Sequence, residues 1–141
     1  MNTLNFLDAN VWLALIWGRH SHSEKAQEWF AQSAEEQFFY CRITQITVLR
    51  LLTTSSVMGK DTRKMAEAWE LWDKACADER VAVLPEPAAM EREFRRLSAS
   101  GTPSPKVWAD AYLLAFARVA GVKLITFDHG LRAKGADVHI L

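Results

Sequence analysis

The chain is short of several things at once. Among 141 residues there are two cysteines, six glycines and four prolines. Cys41 and Cys76 are too few for a disulfide framework and lack metal-ligand spacing, so both read as small apolar packing residues. Charge of one sign is missing too: Lys plus Arg and Asp plus Glu number 17 each. Gripping nucleic acid by bulk electrostatics is therefore disfavoured, and any such contact needs a local patch. The longest apolar run, Val11 to Trp17, falls far below the roughly 20 residues that span a bilayer. No basic leader with an apolar stretch and a small-residue cleavage site is found. The expectation is a soluble chain in a reducing, cytoplasmic setting, with no membrane partner. A Ser/His/Asp elbow, a Gly-rich phosphate loop and a Cys-based zinc motif are also absent, which removes most common chemistries.

What is there is apolar and aromatic. Half the residues are hydrophobic, with six Trp and seven Phe, enough for one globular domain over 1–141 with a proper core. The stretch Asn5-Phe6-Leu7-Asp8-Ala9-Asn10-Val11-Trp12 organises the reading. It begins as a buried strand whose alternation sets Phe6 and Asp8 on one face and Leu7 on the other. Asn10 then reads as the N-cap of a helix over Val11–Trp17 that stops at Gly18. Arg19–Ser23 reads as a polar surface turn; His20 and His22 alternate and lack the helical spacing of a ligand pair.

A helix from Glu24 to Ser33, with a stripe of Ala26, Trp29, Phe30 and Ser33, leads to a strand at Phe38–Cys41. Ile43–Leu52 is apolar on most sides and reads as a buried helix ended by Thr53–Ser56. Asp61–Asp78 is the clearest amphipathic helix, with Met65, Ala68, Trp69, Trp72 and Cys76 in one stripe. Val81–Leu84 is a third strand, Ala88–Ser98 a helix, and Ser98–Pro105 a loop. A helix from Pro105 or Lys106 to Ala120 is closed by Gly121, the strand Val122–Phe127 is broken by Asp128-His129-Gly130, and Val138–Leu141 ends the chain. Strands alternating with helices favour an α/β domain around a mainly parallel sheet.

Three acids stand out. Asp8 lies at the carboxyl end of a buried strand, the edge where open parallel sheets bind ligands. No basic residue lies nearer along the chain than Arg19, so a cation is one answer and an Asp bonding amides at the helix start is the other. Asp110 sits in a helix with Leu113, Leu114 and Ala117 at i+3, i+4 and i+7; pairing with Lys106 is its bland explanation. Asp128 follows a central strand, so it shares Asp8's edge unless it merely caps the short helix beginning near His129. Carboxylates converging on one rim suit a hard divalent ion, Mg²⁺ or Mn²⁺, and phosphodiester hydrolysis.

These stretches, with Thr44-Gln45 leading to Leu49-Arg50-Leu51-Leu52 and Asp110-Ala111-Tyr112-Leu113 leading to Thr126-Phe127-Asp128, resemble the PIN-domain nucleases. Within them the chain is similar to the VapC toxins of bacterial toxin–antitoxin pairs over nearly its whole length. The resemblance implies a three-layer α/β/α fold, an acidic pocket for Mg²⁺ or Mn²⁺, and endonucleolytic cleavage of RNA. It also implies a homodimer and a small VapB-like antitoxin inserted into the active-site groove. By residue it implies Asp8 and Asp110 as metal-binding catalytic acids and Asp128 as the outer acid. Asn10 and Thr126 match supporting positions. One departure matters: PIN domains usually carry a Glu about where Arg50 stands, and Gln45, not an acid, is the only other long polar side chain able to face the same pocket. The expectation is one tightly held metal and any second one weaker. Arg50 is then a candidate for phosphate or an acid, and Gln45 for a metal-bound water. Arg92, Arg95 and Arg96 share a helix face suited to RNA phosphates, although Glu91 and Glu93 interleave and favour a solvated surface.

Two other readings compete. One is a PIN-like module that binds RNA or protein with little or no catalysis, its fourth acid lost. The other, a phosphoacceptor signalling domain, needs an Asp after a middle strand and a Lys after a late one. Here the middle strands end at Arg42 and Pro85, so it fails.

Overall fold

The computed structural model describes residues 3–131 and 137–141. Five short parallel strands make the sheet: β1 Leu4–Leu7, β2 Gln37–Tyr40, β3 Val81–Val83, β4 Lys123–Thr126 and β5 Val138–Ile140. Their order is β3-β2-β1-β4-β5, so β1 lies in the centre with β2 and β4 on either side. Phe6 is in register with Phe39 on β2 and with Leu124 on β4. The helices are α1 Ala9–Ile16, α2 Ser23–Gln32, α3 Arg42–Leu52, α4 Ser55–Met58, α5 Met65–Cys76, α6 Met90–Ser98 and α7 Val107–Ala120.

The pleat of β1 divides the interior into two layers. Phe6 belongs to one, with Leu114, Phe116 and Leu124, under α6 and α7; its ring stacks on Phe116 at 4.6 Å. Leu7 belongs to the other, with Trp12, Phe38, Val48, Leu52 and Trp72, under α1, α3 and α5. Helices on both faces of a parallel sheet give the expected three-layer α/β/α architecture. α7 ends as its sequence suggests, with Gly121 left-handed at φ 71°. Among the described residues no helix is long and apolar enough to cross a membrane. Both cysteines are free thiols: Cys41 is buried and Cys76 partly so.

Several expectations are corrected. α1 begins at Ala9, and its cap is Asp8, whose carboxylate accepts the Ala9 N–H at 2.7 Å. Asn10 is therefore inside the first turn, exposed, and not the cap. α3 is not buried on most sides: Ile43 and Ile46 are 44% and 55% exposed. In α5 the helix is shorter than Asp61–Asp78, and the stripe splits. Ala68 and Trp72 are buried, whereas Met65 and Trp69 are 73% and 47% exposed, because no element of the described chain covers that side. Thr53–Ser56 does end α3, but α4 and a 3₁₀ turn over Gly59–Asp61 follow at once. α7 starts at Val107, two residues past Pro105.

Candidate active site

Strand order does most of the assembly. β1 and β4 are neighbours, so the residues that follow them, Asp8 and Asp128, come to the same carboxyl edge. Thr126 ties the two together. Its hydroxyl donates to Asp8 Oδ2 at 2.9 Å and accepts the Asp128 N–H at 3.0 Å, while Thr126 itself is fully buried. Asp8 makes a second bond, from the Ala9 amide, so both oxygens are engaged and the side chain is held in one orientation.

Burial nevertheless decides the electrostatics. The Asp8 carboxyl is pushed above the ordinary value of 3.8, first by loss of water; the bonds from Thr126 and Ala9 pull it back, and repulsion from Asp128 adds to the rise. Two hydrogen bonds thus fail to offset desolvation. Asp110, in the first turn of α7 and half-buried, is also raised, by burial first, then by Asp128 and Asp8. Repulsion from Asp128 thus acts on both Asp8 and Asp110, and repulsion from Asp8 acts on Asp110. Lys106 does not relieve it: among the described residues Asp110 has neither an ion pair nor a hydrogen-bond partner.

Asp128 fulfils its bland role as well. It is exposed, and its Oδ1 accepts the Gly130 N–H at 2.8 Å at the start of a 3₁₀ turn over His129–Leu131. Gly130 fits that turn closely, since a Cβ there would stand 3.1 Å from the same oxygen.

The remaining candidates are dispersed. The Asn10 amide has no hydrogen bond to Asp8 among the described residues, because Thr126 and the Ala9 N–H already serve that carboxylate. Gln45 is buried in the first turn of α3, and its Oε1 accepts from Arg42, a partner that the sequence reading did not single out. Arg50 lies five residues further, about 7.5 Å along the helix axis. It is exposed beside an apolar groove between α3 and α5 lined by Ile46, Leu49, Met65 and Trp69. Arg50 pairs with none of the three acids among the described residues, so the expected contact with a pocket acid is not made. On α6, Arg95 pairs with Glu91 at 3.2 Å, and Arg96 pairs with Glu93, as does Arg118 of α7 at 3.2 Å. Much of that face is internally neutralised.

His20 and His22 are not a plain surface turn. Both rings stack against Phe127, the residue between Thr126 and Asp128. A cue existed in sequence, since Phe127 extends an apolar strand into the acidic turn, but which ring would meet it could not be read.

Among the described residues no group of three or more His, Cys, Asp or Glu side chains is placed to hold a metal ion, so Asp8, Asp110 and Asp128 do not form a three-ligand set as they stand. The donor set still suits Mg²⁺ or Mn²⁺. Such ions take oxygen ligands and commonly bind through one or two carboxylates, completing their shells with water and phosphate. Asp8 and Asp110, raised by burial and by repulsion from neighbouring acids, with no cationic partner among the described residues, have the chemistry that a hard cation would relieve.

Comparison with known proteins bears on the family and the fold. The PIN domain family model matches residues 6–136. Ribonuclease VapC41 of Mycobacterium tuberculosis is 36% identical over 126 residues, covering 86% of each chain. Ribonuclease VapC38 of the same organism is 28% identical over 132 residues, or 89% of this chain and 85% of that one. Among solved structures, M. tuberculosis VapC20, described as a sarcin-ricin loop cleaving toxin, superposes with a TM-score of 0.67 at 17% identity, covering 94% of this chain and 95% of that one. A chain of the Rickettsia felis VapBC2 complex bound to promoter DNA gives 0.68 at 12% identity, covering 99% of both. The family match and the identity over most of the chain show it: the chain belongs to the PIN-domain family and groups there with the VapC ribonucleases.

Proposed function

We propose that this protein is the toxin of a type II toxin–antitoxin pair, an endoribonuclease that hydrolyses RNA phosphodiesters with Mg²⁺ or Mn²⁺. The observation that carries the reading is that Asp8 and Asp128 follow the paired strands β1 and β4, and that Asp8 and Asp110 are both disfavoured as bare anions, with repulsion from Asp128 adding to each. Asp8 and Asp110 would hold the ion, with Asp128 at its outer side. When bound, such an ion makes a better nucleophile of water and stabilises charge on the phosphoryl oxygens. Thr126 fixes the rotamer of Asp8 and, through the Asp128 amide, the turn that presents the third acid. Gln45 already gives its carbonyl oxygen to Arg42, so it orients that turn of α3 more than it serves the metal.

The relatives' names support the ribonuclease reading, and the VapBC complexes among the structural neighbours support a VapB-like antitoxin as partner. The exposed apolar side chains Ile46, Met65 and Trp69 beside α3 and α5 offer a surface for such a partner or for a second copy of the chain. The lack of a fourth acid keeps the non-catalytic RNA-binding module as the alternative, since Arg50 points to no compensating contact with the three acids.

Purified protein incubated with RNA separates the two. Cleavage that requires Mg²⁺ or Mn²⁺, stops with EDTA and is abolished by Asp8→Asn or Asp110→Asn supports the nuclease; Gln45→Ala retains residual activity. RNA binding with no metal-dependent cleavage, or normal cleavage by Asp8→Asn, overturns the assignment.

A further inference from the structure

The turn between α1 and α2 returns to the carboxyl edge of the sheet and builds a layered set of rings there. His22 stacks on Phe127 with centroids 4.4 Å apart and planes 23° from parallel. His20 lies alongside, 6.2 Å from Phe127 at 24°, and meets the edge of Trp17 at 6.2 Å. The arrangement is pinned. The His22 N–H donates to His20 Nδ1 at 3.0 Å, Trp17 Nε1 donates to Asp61 Oδ2 at 2.9 Å, and Arg19 Nε pairs with the same oxygen at 3.3 Å. His22 is nonetheless exposed. Phe127, the base of the stack, is covalently adjacent to Asp128 and to the Thr126 that holds Asp8.

Such order in a polar turn beside a cluster of acids calls for a reason. The chain has no net charge, and the arginines of α6 are largely paired with glutamates. The carboxylate edge itself repels phosphate until a cation is bound. Base stacking on aromatic rings would give a single-stranded RNA a contact here whose strength does not depend on charge. We infer that the His22–Phe127 stack is a platform for one nucleobase of the RNA, next to the phosphate held at the carboxylates. This rests on the nuclease reading above and deepens it: affinity comes from an unpaired base, so the substrate is single-stranded or looped at this point.

The test is a cycle between protein and base. Fluorescence anisotropy with a labelled single-stranded oligoribonucleotide in Ca²⁺ gives binding for wild type, His22→Ala and His22→Phe, with each base in turn replaced by an abasic ribose. Loss of one base–aromatic stack corresponds to roughly tenfold weaker binding. His22→Ala should show that loss on the intact oligonucleotide. One abasic position should weaken wild type equally and leave His22→Ala unchanged. His22→Phe should bind like wild type, and thermal midpoints should match, as the ring is exposed. A purely structural stack gives a different pattern: every abasic site weakens wild type and His22→Ala alike, which overturns the platform, as does an oligonucleotide that wild type fails to bind. Metal-dependent cleavage measured in parallel keeps the two readings apart. Cleavage without coupling removes the platform alone, and coupling without cleavage removes the nuclease.

Discussion

Thr126 is a small residue that serves both sides of the site with one hydroxyl. Its oxygen donates to Asp8 and accepts from the Asp128 amide, and no water reaches it. Thr126→Val keeps the shape and removes both bonds, leaving a carboxylate and an N–H short of partners. Such losses cost about 1–3 kcal/mol when the stranded group is buried. Denaturant unfolding should register that loss, together with a weaker response of cleavage to Mg²⁺. Thr126→Ser should recover most of both. Were Thr126→Val as stable and active as wild type, the hydroxyl would have no part in holding Asp8. The family resemblance implied Thr126 as a supporting residue, and the geometry supplies the bonds. The sequence offered Asp8 bonding amides at the helix start as one of two answers and assigned the cap itself to Asn10; Asp and Asn cap equally well, the chain turns two residues earlier, and the Ala9 amide meets Asp8.

Among the elements, α1 shows what packing adds. Its Trp12 is 1% exposed, wedged between Trp72 at 5.8 Å and the edge of Tyr40 at 6.2 Å. Yet its Nε1 has no hydrogen-bond partner among the described residues. Ring burial therefore stabilises, and the stranded N–H opposes it. Trp12→Phe removes the orphan donor along with part of the ring, so it should cost far less than Trp12→Ala, for which about 3–5 kcal/mol is expected. Chemical denaturation of the two variants checks this; equal losses would mean that the indole N–H contributes nothing unfavourable. Taking an apolar helix to be a buried one holds for most of α1, whose Val11, Trp12, Leu13 and Ala14 are buried. The same rule misled for α3 and α5, since a stripe tells which side can be buried but not whether a neighbour stands there. Ile46 and Trp69 stay exposed for that reason. α4 escaped notice because it is four residues long, between Thr53-Thr54 and Gly59, where local composition reads as a break.

At the scale of the molecule, the site exists because of strand order. Asp8 and Asp128 are 120 positions apart and meet only because β1 and β4 are paired. Alternation of elements gave the α/β class, but neighbours within a sheet are set by crossovers that no local pattern records; the family resemblance filled that gap. A consequence for stability follows from gathering acids at one edge. Asp8 and Asp110 both have raised pKa values, so the folded chain without a cation holds protons more tightly than the unfolded chain. Stability from these groups is complete below the ordinary carboxylate value of 3.8 and is lost as pH rises through their raised folded values. At neutral pH the metal-free protein therefore carries a penalty that Asp8→Asn should lift: the variant should melt higher than wild type in EDTA, and the gap should close as pH falls below about 4. A bound cation reverses the order, because it binds the ionised carboxylates of the native state and competes with protons. Mg²⁺ at 100 times its Kd should stabilise wild type by about 2.7 kcal/mol at neutral pH. The double variant Asp8→Asn, Asp110→Asn should not respond, and at acid pH wild type should lose its response too. Differential scanning calorimetry across pH, with and without Mg²⁺, reads all of this; a wild type indifferent to Mg²⁺ at neutral pH and more stable in EDTA than Asp8→Asn would show that the clustered carboxylates are neither strained nor a cation site.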